Sequence, residues 1–162
     1  MKFYIFITLS FLIIACKKDN TDGSKKTALS QHGWILKSIA IDPPYDYNGD
    51  GVADAEIMAV SPECERDNIY FFKTDKNIQM DNNNTKCLST DLTEYFWGKW
   101  SFNADETELK MTQTNFVGIK NTSVNIRLTE FTDYSFTGTY RFNFLNNPLT
   151  TYTTTITYQK QP

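Results

Sequence analysis

Asp46, Asn48 and Asp50 occupy every second position of a polar stretch, Gly51 follows at once, and Asp54 comes four residues after Asp50. Alternate oxygen-bearing side chains in a tight turn can aim at one point, and glycine lets the chain make the turn. Calcium suits such a set, because it takes about six to eight oxygen ligands. Val52 would contribute its backbone carbonyl and Asp54 a further carboxylate, directly or through water. The same residues also suit an Asx-rich surface turn that holds no metal. Little else in the chain could carry out a reaction. His32 is the single histidine, so the multiple imidazoles of common zinc and iron sites cannot be assembled. There is no G-x-S-x-G, no H-E-x-x-H and no phosphate-cradling glycine loop. Glu63, Glu65 and Asp67 flank Cys64 and could act as acid–base carboxylates, but they read more simply as a solvated rim. Catalysis is not expected.

The three cysteines divide by position. Phe3 to Ala15 is an apolar run whose only polar members are Thr8 and Ser10, preceded by Lys2. It is short for a membrane span and has the length of a signal-peptide core. It ends in Ile13-Ile14-Ala15-Cys16, which resembles the lipobox of bacterial lipoproteins. There the thiol carries diacylglycerol and the peptide is cut just before it. An ordinary cleaved signal with an incidental cysteine is the alternative. Residues 1–15 are therefore expected to be a signal peptide and Cys16 a lipidation site that anchors the chain to a membrane. Residues 16–30, rich in Lys, Asp, Thr, Asn, Gly and Ser, are expected to be a flexible tether. Lys17-Lys18-Asp19-Asn20 resembles the charged export tags of surface lipoproteins in Bacteroidetes-type bacteria, which implies the outer membrane, on its periplasmic face or at the cell surface. Cys64 and Cys87 remain. An even pair in an exported chain reads as a disulfide; two free buried thiols are the alternative, and a catalytic or zinc pair ranks below both. Losing Lys2 with the signal takes the formal net charge from −3 to −4. No basic cluster survives outside the tether, so nucleic-acid binding has no electrostatic basis.

The elements that must position these groups are strands. In Tyr95-Phe96-Trp97-Gly98-Lys99-Trp100-Ser101-Phe102, period two puts Phe96, Gly98, Trp100 and Phe102 on one face. Tyr134 to Phe144 alternates more cleanly, with Tyr134, Phe136, Gly138, Tyr140, Phe142 and Phe144 opposite Ser, Thr, Arg and Asn. Residues 68–73 and 78–81 form a hairpin pattern. Further strands are expected at 33–41, 107–112, 124–129 and 152–158. Between Leu36 and Ile39 the apolar parity shifts, which predicts a bulge or two buried faces. Residues 42–67 form the longest stretch without strand rhythm, and loops of that length usually have a job. No window after residue 30 has helical periodicity.

About eight strands at hairpin spacing predict an all-β domain over 31–162, an eight-stranded antiparallel up-and-down barrel, with a β-sandwich as the alternative. Gly98 and Gly138 inside strands favour the barrel, where walls must bend sharply. Aromatic residues make up 15% of the chain. Trp34, Phe96, Trp100, Phe136, Tyr140 and Phe142 could line a ligand cavity or fill the interior as packed core.

Several of these residues together resemble a known family: Trp34 in the opening strand, the acidic glycine loop, Pro62-Glu63-Cys64-Glu65-Arg66-Asp67-Asn68 running into an aromatic strand, a second cysteine before Gly98-Lys99-Trp100-Ser101-Phe102, and the Ile126/Leu128 strand. The pattern is similar to the lipocalin-like lipoproteins of Bacteroidetes-type bacteria over about residues 30–160. The resemblance implies a small barrel. Gly33-Trp34 only partly matches the Gly-x-Trp opening of true lipocalins, so a transport role is not inherited. The acidic loop resembles the D-x-[DN]-x-D-G core of EF-hand, dockerin and thrombospondin-repeat calcium loops. At the twelfth EF-hand position Ile57 replaces glutamate and Glu56 lies one place off, so an affinity on the order of 0.1–1 mM and a structural role are expected. The function expected is noncatalytic binding, of a small apolar or amphipathic molecule in the barrel or of an envelope partner through the loops. The alternative is an accessory subunit of an envelope complex with a filled barrel.

Overall fold

Alternating apolar and hydroxyl residues do produce strands over most of the chain. The computed structural model describes residues 24–113, 122–144 and 147–162. The expected signal peptide 1–15 and lipidation site Cys16 lie outside the described residues. The elements are α1 (Lys25–Ser30), β1 (Trp34–Tyr45), β2 (Asp54–Glu56), α2 (Ile57–Val60), α3 (Glu63–Arg66), β3 (Ile69–Phe72), β4 (Asn77–Asp81), β5 (Glu94–Phe102), β6 (Glu108–Gln113), β7 (Thr122–Phe131), β8 (Ser135–Phe144) and β9 (Asn147–Lys160).

The strands β1-β3-β4-β5-β6-β7-β8-β9 pair antiparallel in that order, and β9 returns to β1 from Trp34↔Lys160 to Asp42↔Thr153. That closes an eight-stranded, lipocalin-like barrel, in which β1 and β9 pair with each other in place of standing as sheet edges. The short β2 is an addition that pairs only with the outer part of β1. The bulge expected near Leu36 is present, between Leu36 and Ser38 in the β1–β9 ladder. Gly98 and Gly138 both face a close neighbour. A Cβ on Gly98 would stand 2.2 Å from the Thr112 carbonyl, and one on Gly138 would stand 2.4 Å from Ile126 Cγ2. The wall bends at these points because no side chain occupies the space.

Two expectations are corrected. The tether does not extend through residue 30. From Lys25 the chain is a helix whose Leu29 is buried in the core, and Trp34 Nε1 donates to the Leu29 carbonyl (2.9 Å). One apolar side chain amid five mostly polar ones is enough to plug a barrel end, although it leaves no periodic signature. Phe96 does not face inward. It is 45% exposed, because the β4–β5 register slips between Ile78↔Gly98 and Gln79↔Phe96. The extra residue, Trp97, reverses the parity, so Tyr95 and Trp97 pack on the core in place of Phe96.

Candidate functional site

The two ends of the barrel are built differently. At the end carrying α1 the interior is filled. Trp34 meets Phe136 edge-on (5.1 Å between ring centroids), Phe136 stacks on Tyr158 (4.7 Å), and Phe72 meets Trp100 (5.9 Å). Leu29, Leu109 and Ile126 close the gaps. Trp34, Trp100 and Phe136 are thus packed core. Phe142 belongs to a second, smaller cluster with Ile41, Ile57 and Tyr152.

At the opposite end one side of the wall is low. β3 has 4 residues and β4 has 5, beside 12 in β1 and 9 in β5. β1 pairs with β3 only through Trp34 and Ile35. Segment 57–67, containing α2 and α3, and loop 82–93 complete that side of the barrel. Between them and the strands lies a chamber of about 540 Å³. Leu36, Ile39, Ile57, Met58, Met80 and Trp97 form its apolar surface, and Tyr70, Tyr95, Asn68, Asn82, Glu65 and Asp91 its polar one. A recess of about 250 Å³ adjoins it deeper in the barrel, sharing Leu36, Ile39, Tyr70 and Trp97 and reaching Tyr140. Of the six aromatic residues singled out in the sequence, Tyr140 alone is found here, lining the recess.

The cover is held by specific bonds. Cys64 and Cys87 form a disulfide, Cα atoms 5.2 Å apart, that ties α3 to loop 82–93. Thr85 N–H donates to Asp67 Oδ2 alongside it (3.1 Å). Glu56 clamps α2 to the β1 bulge: Oε1 accepts from the Ile39 and Met58 amides (2.8 and 3.2 Å) and Oε2 from the Ser38 hydroxyl (2.7 Å). Asn82 closes the base of the loop, its amide N–H on the Thr93 carbonyl (2.8 Å) and its side chain on the Leu92 carbonyl (2.6 Å).

Burial raises the pKa of the Tyr70 and Tyr158 phenols far above 10, and raises that of Tyr95 less; the Glu65 charge adds to the effect at Tyr70. These hydroxyls stay protonated near neutral pH. Tyr95 donates to Met80 Sδ (3.6 Å) and Tyr70 packs edge-on against Trp97 (5.8 Å). Asn68 is 6% exposed, and its Oδ1 is buried with no hydrogen-bond partner.

The acidic loop stands at the same end of the barrel. Asp46 Oδ1 and Oδ2 accept from the amides of Gly49 and Gly51 (2.8 and 2.9 Å), Asp50 Oδ1 from Val52 (2.8 Å), and Asn48 Oδ1 from Asp50 (3.0 Å). Asp54 Oδ2 accepts from Tyr47 N–H (3.2 Å). Asp46, Asn48 and Asp50 are thus brought together, with their oxygens turned on backbone amides. Among the described residues no three acidic, histidine or cysteine side chains converge on a point that could hold a metal. Glu56, the nearest stand-in for an EF-hand's last ligand, is committed to the β1 bulge and α2.

The chamber residues were mostly silent in the sequence. Ile57 and Met58 are an apolar pair inside an acidic stretch, and Trp97 stands in an unbroken run of three aromatic residues; those are the signals that could have found them. Fold and site define an eight-stranded barrel, sealed at one end and chambered at the other. No protein-family profile matches the chain, and no curated protein is detectably similar to it.

Proposed function

We propose that this chain is a lipid-anchored envelope protein that holds a small apolar or amphipathic molecule, without catalysis, in the chamber between β1, β3–β5 and the 57–67 cover. One observation carries the reading. An apolar-walled space of about 540 Å³ falls in the range of small-molecule sites, about 300–1,000 Å³, and a merely packed barrel of eight strands has no need of it. With Cys16 acylated, the tether reaches the barrel at α1, the sealed end. Membership of the lipocalin-like lipoproteins fits the same picture.

A small-molecule extract of the native cell envelope is expected to raise the melting temperature of the parent protein and not that of Leu36→Trp, which fills the chamber where it meets the recess. Equal shifts for both would overturn the reading.

We also propose calcium at Asp46, Asn48, Asp50, Val52 and Asp54. Each carboxylate oxygen that accepts an amide keeps a second lone pair, so an ion could be taken up after side-chain rotation. Its part would be to stiffen the loop, not to bind the ligand.

A further inference from the structure

The chamber's charge and its one orphaned amide narrow the class of occupant, and this inference rests on the binding function proposed above. Residues 42–68 and 81–94, which form the open end, carry eleven acidic side chains against two basic ones, Arg66 and Lys86. The rest of the chain carries eight acidic and fourteen basic. The net charge is therefore −9 in those two segments and +6 over the rest of the sequence. The chamber wall includes Glu65 and Asp91 and no Lys, Arg or His among the described residues. Two cations lie near this end, and neither is part of the chamber wall. The Lys86 ammonium donates to the Asp91 backbone carbonyl (2.8 Å), and Arg66 lines a separate groove with Lys37 and Glu56.

An apolar-walled space lowers the local dielectric, so an anion entering it loses hydration and passes the exposed Glu65 and the half-buried Asp91 at its rim. Asn68 supplies the independent mark. Asn68 is one of the residues around the chamber, is more than nine-tenths buried, and holds a buried amide oxygen with no partner. Native structures rarely leave such an atom unpaired, and a donor from a bound molecule would satisfy it.

We infer that the chamber takes a neutral or cationic amphipath bearing an N–H or O–H donor, bound donor-first against Asn68 with its apolar body among Leu36, Ile39, Met80 and Trp97, and that it rejects anionic amphipaths such as fatty acids.

Two fluorescent probes with the same ring system separate the terms. N-phenyl-1-naphthylamine is neutral with an N–H, and 8-anilinonaphthalene-1-sulfonate adds a sulfonate. The chain from residue 16, carrying Cys16→Ser so that no acyl group competes, is titrated with each, read by energy transfer from tryptophan. The neutral probe is expected to bind at least about tenfold tighter than the sulfonate, and Glu65→Gln with Asp91→Asn to bring the two within about threefold. Asn68→Leu is expected to weaken the neutral probe about fivefold or more, and Asn68→Asp, which keeps an acceptor oxygen, to retain it. Equal affinities unaffected by Glu65→Gln with Asp91→Asn would overturn the charge selection while leaving a binding chamber. A neutral probe indifferent to Asn68→Leu would overturn the donor-first pose. Binding of neither probe would sink the chamber reading itself.

Discussion

The sealed and open halves of this barrel use the same strands to opposite ends. Around α1, long neighbouring strands converge and rings from β1, β3, β5, β8 and β9 interlock, so each side chain fixes the next. Toward the mouth, β3 and β4 stop after 4 and 5 residues while β9 runs for 14. The missing wall is replaced by two short helices, a polar loop and a disulfide. A packed core tolerates no vacancy, whereas a wall assembled from short pieces leaves one unless bulky residues fill it. Stability should therefore reside at one end and binding at the other.

The largest contrast should appear between substitutions in the two halves. Phe136→Ala, in the middle of the ring stack, is expected to cost about 3–5 kcal/mol. Leu36→Ala, at a half-buried position that borders a space already present, is expected to cost less, at most about 2 kcal/mol, and to weaken ligand-induced stabilisation. Urea melts of both variants measure this; equal losses would erase the distinction between the halves.

Next in size is the staple. The double variant Cys64→Ser/Cys87→Ser should lose about 3 kcal/mol, from the freed 23-residue separation, on a chain-entropy estimate. Loop 82–93 and α3 should gain hydrogen-exchange rate well before the sealed half does. Uniform loss of protection would mean that the cover and the barrel fold as one unit.

The buried phenols give a pH signature. Tyr70 and Tyr158 have pKa values raised above 10.0 by burial, so the folded state holds protons that the unfolded state releases. Their contribution is complete below pH 10 and declines above it. The expected slope is about 1.4 kcal/mol per pH unit for each tyrosine until its folded pKa is reached. Tyr70→Phe should lower the alkaline slope; an unchanged slope would relocate the effect.

How much of this was legible depended on whether polar residues marked the strand faces. In β8, Ser, Thr and Arg alternate with rings, and Phe136 falls inside as read. At Leu36–Ser38, Lys37 and Ser38 interrupt the apolar run and reveal the bulge. At Tyr95-Phe96-Trp97 three aromatic residues in a row carry no such mark, so the bulge there was invisible and Phe96 was placed inside. Leu29 had no periodic companions to announce α1. The chamber is hardest to read, because it arises from the lengths of β3 and β4 relative to their neighbours, and no residue type encodes a vacancy. The cysteine pair was the one clear sign that something at the open end needed holding.

The smallest expected effect belongs to the acidic loop. At 1 mM calcium and a Kd on the order of 0.1–1 mM, the parent should gain about 0.4–1.4 kcal/mol, and Asp50→Ala none. Identical melts would assign the loop to its Asx turns alone.

Native mass spectrometry of the intact protein released from its own envelope tests the central claim most directly. The account predicts a retained non-protein mass of roughly 200–500 Da, sized to the chamber, that is absent from Leu36→Trp. The acylated polypeptide with no further mass from both, or the same noncovalent adduct on both, would contradict it.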